Sequence, residues 1–207
     1  MRGRFITFEG TEGSGKTTQI KLLARELKKR GKRVTITREP GGSRIGDKIR
    51  AILLQTKFKE MFPTTELLLY AAGRAQHVAQ IILPRIRRGE IVLCDRFADS
   101  TSAYQGGARR LSERDLKRLH KIATGGLMPD LTILLDLPVH KGFKRIRNRK
   151  QDRLEKERRS FHQRVRQAYL NLARREKRRI KVVNATEPVR IIHQKILKEV
   201  SKLTADS

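Results

Sequence analysis

The sequence predicts an α/β fold with a five-stranded parallel sheet flanked by helices. Five short runs, Phe5 to Phe8, Val34 to Thr37, Ile91 to Cys94, Leu131 to Leu135 and Lys181 to Val183, are rich in Val, Ile and Leu with little alternation, as strands covered on both faces are. The stretches between them carry helical patterns and are long enough for crossover helices. Between the first run and the first helical pattern lies Gly10-Thr11-Glu12-Gly13-Ser14-Gly15-Lys16-Thr17-Thr18, a glycine loop in the strand–loop–helix order that a phosphate-binding loop requires.

The elements follow in order. Ile20, Leu23, Ala24 and Leu27 recur at helical spacing behind the loop, and Gly31 closes that helix. Pro40-Gly41-Gly42 marks a turn after the second strand. A long helix is predicted from Thr64 to Arg88, with Leu67, Leu68, Ala71, Ala75, Val78, Ile81 and Ile82 on its apolar side and Pro84 bending or interrupting it. That stripe is wide enough to face more than its own sheet. Ser112 followed by Asp115 starts another helix, and Met128-Pro129-Asp130 breaks the chain before the fourth strand. Phe161, Val165, Ala168, Leu172 and Ala173 share one helical face, so the basic segment around them is folded. Residues Thr204 to Ser207 are expected to fray.

At 207 residues and 37% hydrophobic content, one domain spanning 1–207 is expected. No stretch approaches the roughly 20 apolar residues that span a bilayer, and Met1-Arg2-Gly3-Arg4 runs directly into the first strand, so neither a membrane segment nor a signal peptide is expected. Cys94 is the only cysteine and sits in an apolar run, which excludes an internal disulfide and suits a reducing cytoplasm. The balance of 49 Lys and Arg against 21 Asp and Glu gives a formal charge of +28. Between His140 and Lys181 there are 18 Lys and Arg against 4 Asp and Glu, a net of +14. This segment reads either as a patch for nonspecific nucleic-acid binding or as a lid handling nucleotide phosphates, extended by solvated basic faces.

The loop dictates chemistry of its own. Backbone N–H groups and a helix N-terminus converge on one spot and hold a polyphosphate, Lys16 meets its outer phosphates, and the Thr17 hydroxyl ligates Mg²⁺.

Further segments then converge: Thr37-Arg38-Glu39-Pro40-Gly41-Gly42, Tyr70-Ala71-Ala72-Gly73-Arg74-Ala75-Gln76-His77, Asp95-Arg96-Phe97, Tyr104-Gln105-Gly106-Gly107 and Asp152-Arg153-Leu154-Glu155. Together they resemble the thymidylate kinase family over nearly the whole chain. The resemblance implies a P-loop kinase fold with a mobile lid at about 140–156, a cytoplasmic homodimer, and Mg²⁺-dependent transfer of the ATP γ-phosphoryl group to dTMP. A phosphate monoester is already anionic, so such a reaction needs alignment and charge cancellation rather than a strong base.

By resemblance, Arg96 and more weakly Arg38 hold the acceptor phosphate, and Asp95 organises Mg²⁺ through its water shell. Tyr70 stacks on thymine and Arg74 bonds the base carbonyl, with Ser100 or Thr101 at the base edge. Tyr104, supported by Gln105, crowds the sugar 2′ position, and Glu12 contacts the 3′-hydroxyl. One branch of the family carries an arginine where this chain has Gly13; the other takes its catalytic arginine from the lid. Arg153 is the expected catalytic arginine of the lid, acting with Lys16, Arg96 and Asp95, while Arg147 and Arg149 clamp ATP. Gly73 and Phe97 depart from the family pattern, and each loses a polar contact. The alternatives are another nucleoside monophosphate or deoxynucleoside kinase, or a basic nucleotide-binding protein whose business is RNA or DNA.

Overall fold

The computed structural model describes residues 3–205. All five expected strands form: β1 (Arg4–Glu9), β2 (Val34–Arg38), β3 (Ile91–Asp95), β4 (Leu131–Asp136) and β5 (Ile180–Asn184), parallel throughout in the order β2-β3-β1-β4-β5. The central β1 is covered on both faces, which is why its sequence does not alternate. Ile6 and Phe8 pack with Leu93 and Ile133 under α1 (Lys16–Lys29) and α9 (Val189–Ala205). Phe5 faces the other way, onto Val92, Phe97, Val78 and Ile82. Each such fully buried side chain contributes roughly 1.5–3 kcal/mol. Thr7 and Thr132 satisfy their hydroxyls on each other at 2.7 Å inside the sheet.

The second strand leads through the Pro40-Gly41-Gly42 turn into α2 (Arg44–Leu54), whose cap Ser43 accepts the Gly46 N–H. The expected long helix is present but differs in detail. It runs as α3 (Pro63–His77), a π-helical stretch Val78–Ile82, and α4 (Leu83–Arg87). The irregularity precedes Pro84 because the wider π turn accommodates a ring that would otherwise press on the carbonyl four residues back. Past β3 come the short α5 (Ala98–Thr101), a second π-helical stretch Ser102–Ala108, and α6 (Glu113–Thr124), capped as expected by Ser112 and closed by Gly125 at φ 59°.

After β4, α7 (Val139–Ile146) leads into turns over 147–158 and then α8 (Arg159–Arg175). Phe161, Val165, Tyr169 and Ala173 of α8 are buried against the second π stretch and Leu134, so this basic segment is folded. Helix α9 continues through Ala205, and Asp206 and Ser207, where fraying was also expected, lie outside the described residues. Among the described residues, no helix is long and apolar enough to cross a membrane.

Candidate active site

A cleft of roughly 1170 Å³ opens where β1, β2 and β3 end. Its floor is the loop joining β1 to α1. Gly10, Gly13 and Gly15 adopt φ of 138°, 70° and 91°, and a Cβ on Gly10 would stand 2.5 Å from the Leu135 carbonyl oxygen. Lys16 donates from Nζ to the carbonyls of Gly10 (3.1 Å) and Thr11 (3.2 Å), curling over the loop. Burial, then the nearby Arg96 charge, lowers its pKa from the usual lysine range. Of the expected loop residues, Glu12 to Thr18 line the cleft. Thr11 instead turns its hydroxyl to the Leu137 carbonyl at 3.4 Å.

At the mouth of the loop the Thr17 hydroxyl donates to Asp95 Oδ2 at 2.9 Å. No group of three or more His, Cys, Asp or Glu suited to a metal occurs among the described residues. A hydroxyl and one carboxylate beside a phosphate loop nevertheless fit Mg²⁺, which keeps several waters and takes most other ligands from phosphates.

Arg96, just past β3, is held at φ 72°, a costly conformation for a residue with a Cβ. Its N–H reaches the Phe8 carbonyl at 2.9 Å. Its guanidinium donates to Glu12 Oε1 (2.5 Å), Tyr169 Oη (3.1 Å) and Ser100 Oγ (3.3 Å), and lies over the Tyr104 ring. Burial works against ionisation of Glu12, but Arg96, Lys16, a Tyr104 hydrogen bond and Arg149 outweigh it and hold its pKa at about 2. The strained turn is braced by Glu9, the fully buried last residue of β1. Glu9 accepts the Phe97 N–H (2.7 Å) and the hydroxyls of Ser100 (2.6 Å) and Tyr169 (2.8 Å). The sequence expectation gave Glu9 no role; an acid directly following the mostly apolar run Phe5 to Phe8 was its available signal.

Arg74 is 2% exposed at the back of the cleft. Nε donates to Glu39 Oε2 (2.8 Å), and Nη2 to the Phe97 carbonyl (3.1 Å) and Thr101 Oγ1 (3.0 Å). Nη1 is buried with no partner. The glycine at 73 therefore does not loosen Arg74, because its supports come from other elements. Glu39 also binds His77 Nδ1 at 3.0 Å and was overlooked as a site residue. Phe97 lines the cleft, but its side chain is fully buried and edge-on to Phe5 at 4.9 Å, so its departure from the family pattern puts an apolar ring where a polar contact was expected. Tyr70, Arg38, Ser100, Thr101, Tyr104 and Gln105 all line the cleft. Gln105 donates its amide N–H to Glu66, and Tyr104 donates its hydroxyl to Glu12 at 3.1 Å. Arg50, not anticipated, also lines the cleft and donates to the Pro40 carbonyl at 2.8 Å.

The arginines of the segment expected to form a lid separate. Arg149 faces the cleft and lies 3.8 Å from Glu12 Oε2. Arg145, at the end of α7, donates to the Gly13 carbonyl at 3.1 Å. Arg147 is exposed and is not among the cleft-lining residues. Arg153 departs from its expected place: it is buried away from the cleft, donating to the Leu53 carbonyl at 2.9 Å and to Glu66 Oε2 at 2.5 Å. The reason is Glu66, a wholly buried carboxylate on α3 that needs cationic partners and also receives Gln105 and Arg109. An acid on the apolar face one turn before Tyr70 was the signal for it.

A family model described as thymidylate kinase matches residues 8–196. A thymidylate kinase of Pelotomaculum thermopropionicum is 48% identical over 200 residues, covering 96% of this chain and 93% of its own. One from Geobacter sulfurreducens is 52% identical over 194 residues, covering 90% and 91%. Among solved structures, the crystal structure of thymidylate kinase from Ehrlichia chaffeensis superposes with a TM-score of 0.78 at 31% identity, over 97% of this chain and 99% of that one.

Proposed function

This chain belongs to the thymidylate kinase family, and from that membership we propose how its own residues carry the reaction. The protein phosphorylates dTMP to dTDP with ATP as the donor. The unpartnered Nη1 of Arg74 carries the assignment of the acceptor end. A buried guanidinium N–H without an acceptor is costly, and a thymine carbonyl beside Tyr70 would satisfy it. The dTMP phosphate then falls toward Arg96 and Arg38. Tyr104, with Gln105 behind it, closes the sugar side against a 2′-hydroxyl, and Glu12 serves the 3′-hydroxyl.

ATP lies along Gly10 to Thr18 with Lys16 on its outer phosphates. Thr17 and Asp95 would hold Mg²⁺, which offsets phosphate charge when bound. Transfer breaks the bond from the γ-phosphorus to the β,γ-bridging oxygen as an oxygen of the dTMP phosphate bonds that phosphorus. Arg96 and Lys16 orient the two anions, and Arg149 supplies the lid charge that the sequence expectation had given to Arg153. We read 1–207 as one kinase domain with its lid at about 140–156, cytoplasmic and homodimeric. Ile45 and Ile52 on α2 and Leu68 on α3, exposed on two packed helices, support the dimer.

A coupled ADP-release assay across dTMP, dUMP, UMP, AMP and thymidine tests the acceptor. Preference for dTMP that collapses in Arg74→Ala supports the reading, whereas a better acceptor among the others overturns it. Sedimentation velocity on Leu68→Lys tests the dimer: an unchanged dimer would move the interface elsewhere.

A further inference from the structure

Because every strand is parallel, all five start at one end of the sheet, and the nucleotide cleft lies at the other. The neighbouring strands β2 and β3 are preceded there by Lys28-Lys29-Arg30-Gly31-Lys32-Arg33 and Arg85-Ile86-Arg87-Arg88. The two segments form one surface. The Arg33 guanidinium donates to the Arg88 carbonyl, and the Ile91 N–H to the Arg33 carbonyl at 2.8 Å. Gly3 ties in the start of β1, donating to the Ile86 carbonyl at 3.0 Å so closely that a Cβ would stand 2.2 Å from the Glu90 carbonyl oxygen.

Helix dipoles explain part of this charge. Cations in the last turns of α1 and α4 are favoured by the free carbonyls there, at about 0.3–1 kcal/mol each. Lys32, Arg33 and Arg88 lie beyond those helices and gain no such turn. Nearby carboxylates are already engaged: Glu26 with Arg30 at 2.9 Å, and Glu90 with Thr35 at 2.5 Å and Arg85 at 3.3 Å. Among the described residues, the exposed side chains of Lys29, Lys32, Arg87 and Arg88 have no carboxylate partner.

We propose that the β2–β3 side of this end of the sheet, away from the edge strand β5, binds the phosphate backbone of nucleic acid, on a surface separate from the catalytic cleft. Guanidinium forks suit phosphate oxygens, and the two segments contain no aromatic side chain to stack on bases, so binding is independent of sequence. A membrane surface fits less well. The exposed large apolar side chains all fall outside these segments, leaving nothing here to insert among acyl chains.

Fluorescence anisotropy with a labelled mixed-sequence DNA duplex and single strand, over a salt series, tests the proposal. The variant Lys29→Ser/Lys32→Ser/Arg87→Ser/Arg88→Ser should weaken binding roughly 10²-fold and flatten the log K against log salt slope by about three to four. A control removing the same number of charges from the start of β5, Arg174→Ser/Arg175→Ser/Lys177→Ser/Arg178→Ser, should weaken it far less. Both should keep dTMP turnover within about twofold, since neither touches the cleft. If the first variant loses turnover, Lys29→Ser/Lys32→Ser replaces it, with a slope change of about two expected. Equal weakening in variant and control, no weakening in either, or tighter binding to phosphatidylglycerol vesicles than to DNA would each overturn the assignment.

Discussion

Arg153, in the segment proposed as the lid, and Glu66 of α3 are joined at 2.5 Å in a site where Glu66 has no solvent exposure. This pair fastens the lid segment to the helix that carries Tyr70 and Arg74. Arg109 extends the fastening, bonding Glu66 at 3.3 Å and Glu157 at 2.6 Å. Removing Arg153 leaves Glu66 with Gln105 and Arg109 only, so Arg153→Ala should cost about 2–3 kcal/mol of stability, somewhat below a fully orphaned buried charge. Thermal melts should show a clear fall in Tm alongside reduced kcat. An unchanged Tm would mean the pair is not an anchor.

Arg149 gives the contrasting case. Its side chain is 52% exposed and faces the cleft, and its ion-pair partner Glu155 also accepts the Asp152 N–H at 3.1 Å, so less folding energy rests on it than on Arg153. Arg149→Ala should lower Tm less than Arg153→Ala does while kcat falls about 10³-fold, as for other arginines that neutralise a transferring phosphoryl group. Steady-state kinetics with saturating dTMP distinguishes the two arginines: if Arg153→Ala loses more turnover per degree of Tm than Arg149→Ala, the roles are reversed.

The sheet and the phosphate loop were legible because each rests on a local signal: β3 and β4 are doubly buried apolar runs, the edge strands β2 and β5 are recognisable by β-branched side chains although Ile36 and Val182 are exposed rather than covered, and glycines stand where positive φ is needed. The supports of the arginines were not. Glu9, Glu39 and Glu66 lie far in sequence from most of the groups they hold, the Arg153 pair being 87 residues apart, and a single acid in a strand or helix looks the same whether solvated or buried. Only the fold brings Glu39 to Arg74, or Glu9 to the turn that strains Arg96. The lid arginines illustrate the same limit, since a run of basic residues does not reveal which one a buried carboxylate will capture.

Glu39 should therefore matter to dTMP without touching it. It fixes Arg74 through Nε, leaving Nη1 aimed for a base carbonyl. In Glu39→Gln the charge-assisted bond is weakened and the guanidinium gains freedom, so KM for dTMP should rise roughly tenfold with kcat and the KM for ATP nearly constant. Equal losses in both substrates' KM would instead indicate general unfolding of the β2 turn.

Glu9 links the site to pH. Burial, then repulsion from Asp99, raises its pKa from 4.5 to about 7, although Arg96, Ser100 and Tyr169 pull the other way. The native protein thus binds a proton there that the unfolded chain releases above about pH 4.5. The stability this group contributes is complete below the unfolded pKa and is lost as pH rises through about 7. Glu9→Gln keeps the shape and presents a neutral amide to two hydroxyls that can reorient. The Tm of wild type minus that of Glu9→Gln should fall between pH 5 and 8, roughly the window around the native pKa. A flat difference curve would show that Glu9 does not change protonation there.

The backbone contacts of Gly13 support the proposal that the segment at 140–156, and not the loop, supplies the arginine. The φ of Gly13 is 70°, and a Cβ there would stand 2.4 Å from the Gly142 carbonyl oxygen; conversely a Cβ on Gly142 would stand 2.2 Å from the Glu12 carbonyl oxygen. Both obstacles are backbone, so no rotamer change relieves them, and Arg145 fixes the same junction by donating to the Gly13 carbonyl at 3.1 Å. Transplanting the loop arginine of the other family branch should accordingly fail. Gly13→Arg is expected to raise the KM for ATP and, placed in the Arg149→Ala background, to restore no turnover, because the loop must first separate from α7. Gly13→Ala should reproduce the ATP defect, since the clash begins at Cβ. Wild-type turnover in Gly13→Arg/Arg149→Ala would show that the loop and α7 part readily and that the glycine contact does not dictate where the arginine comes from.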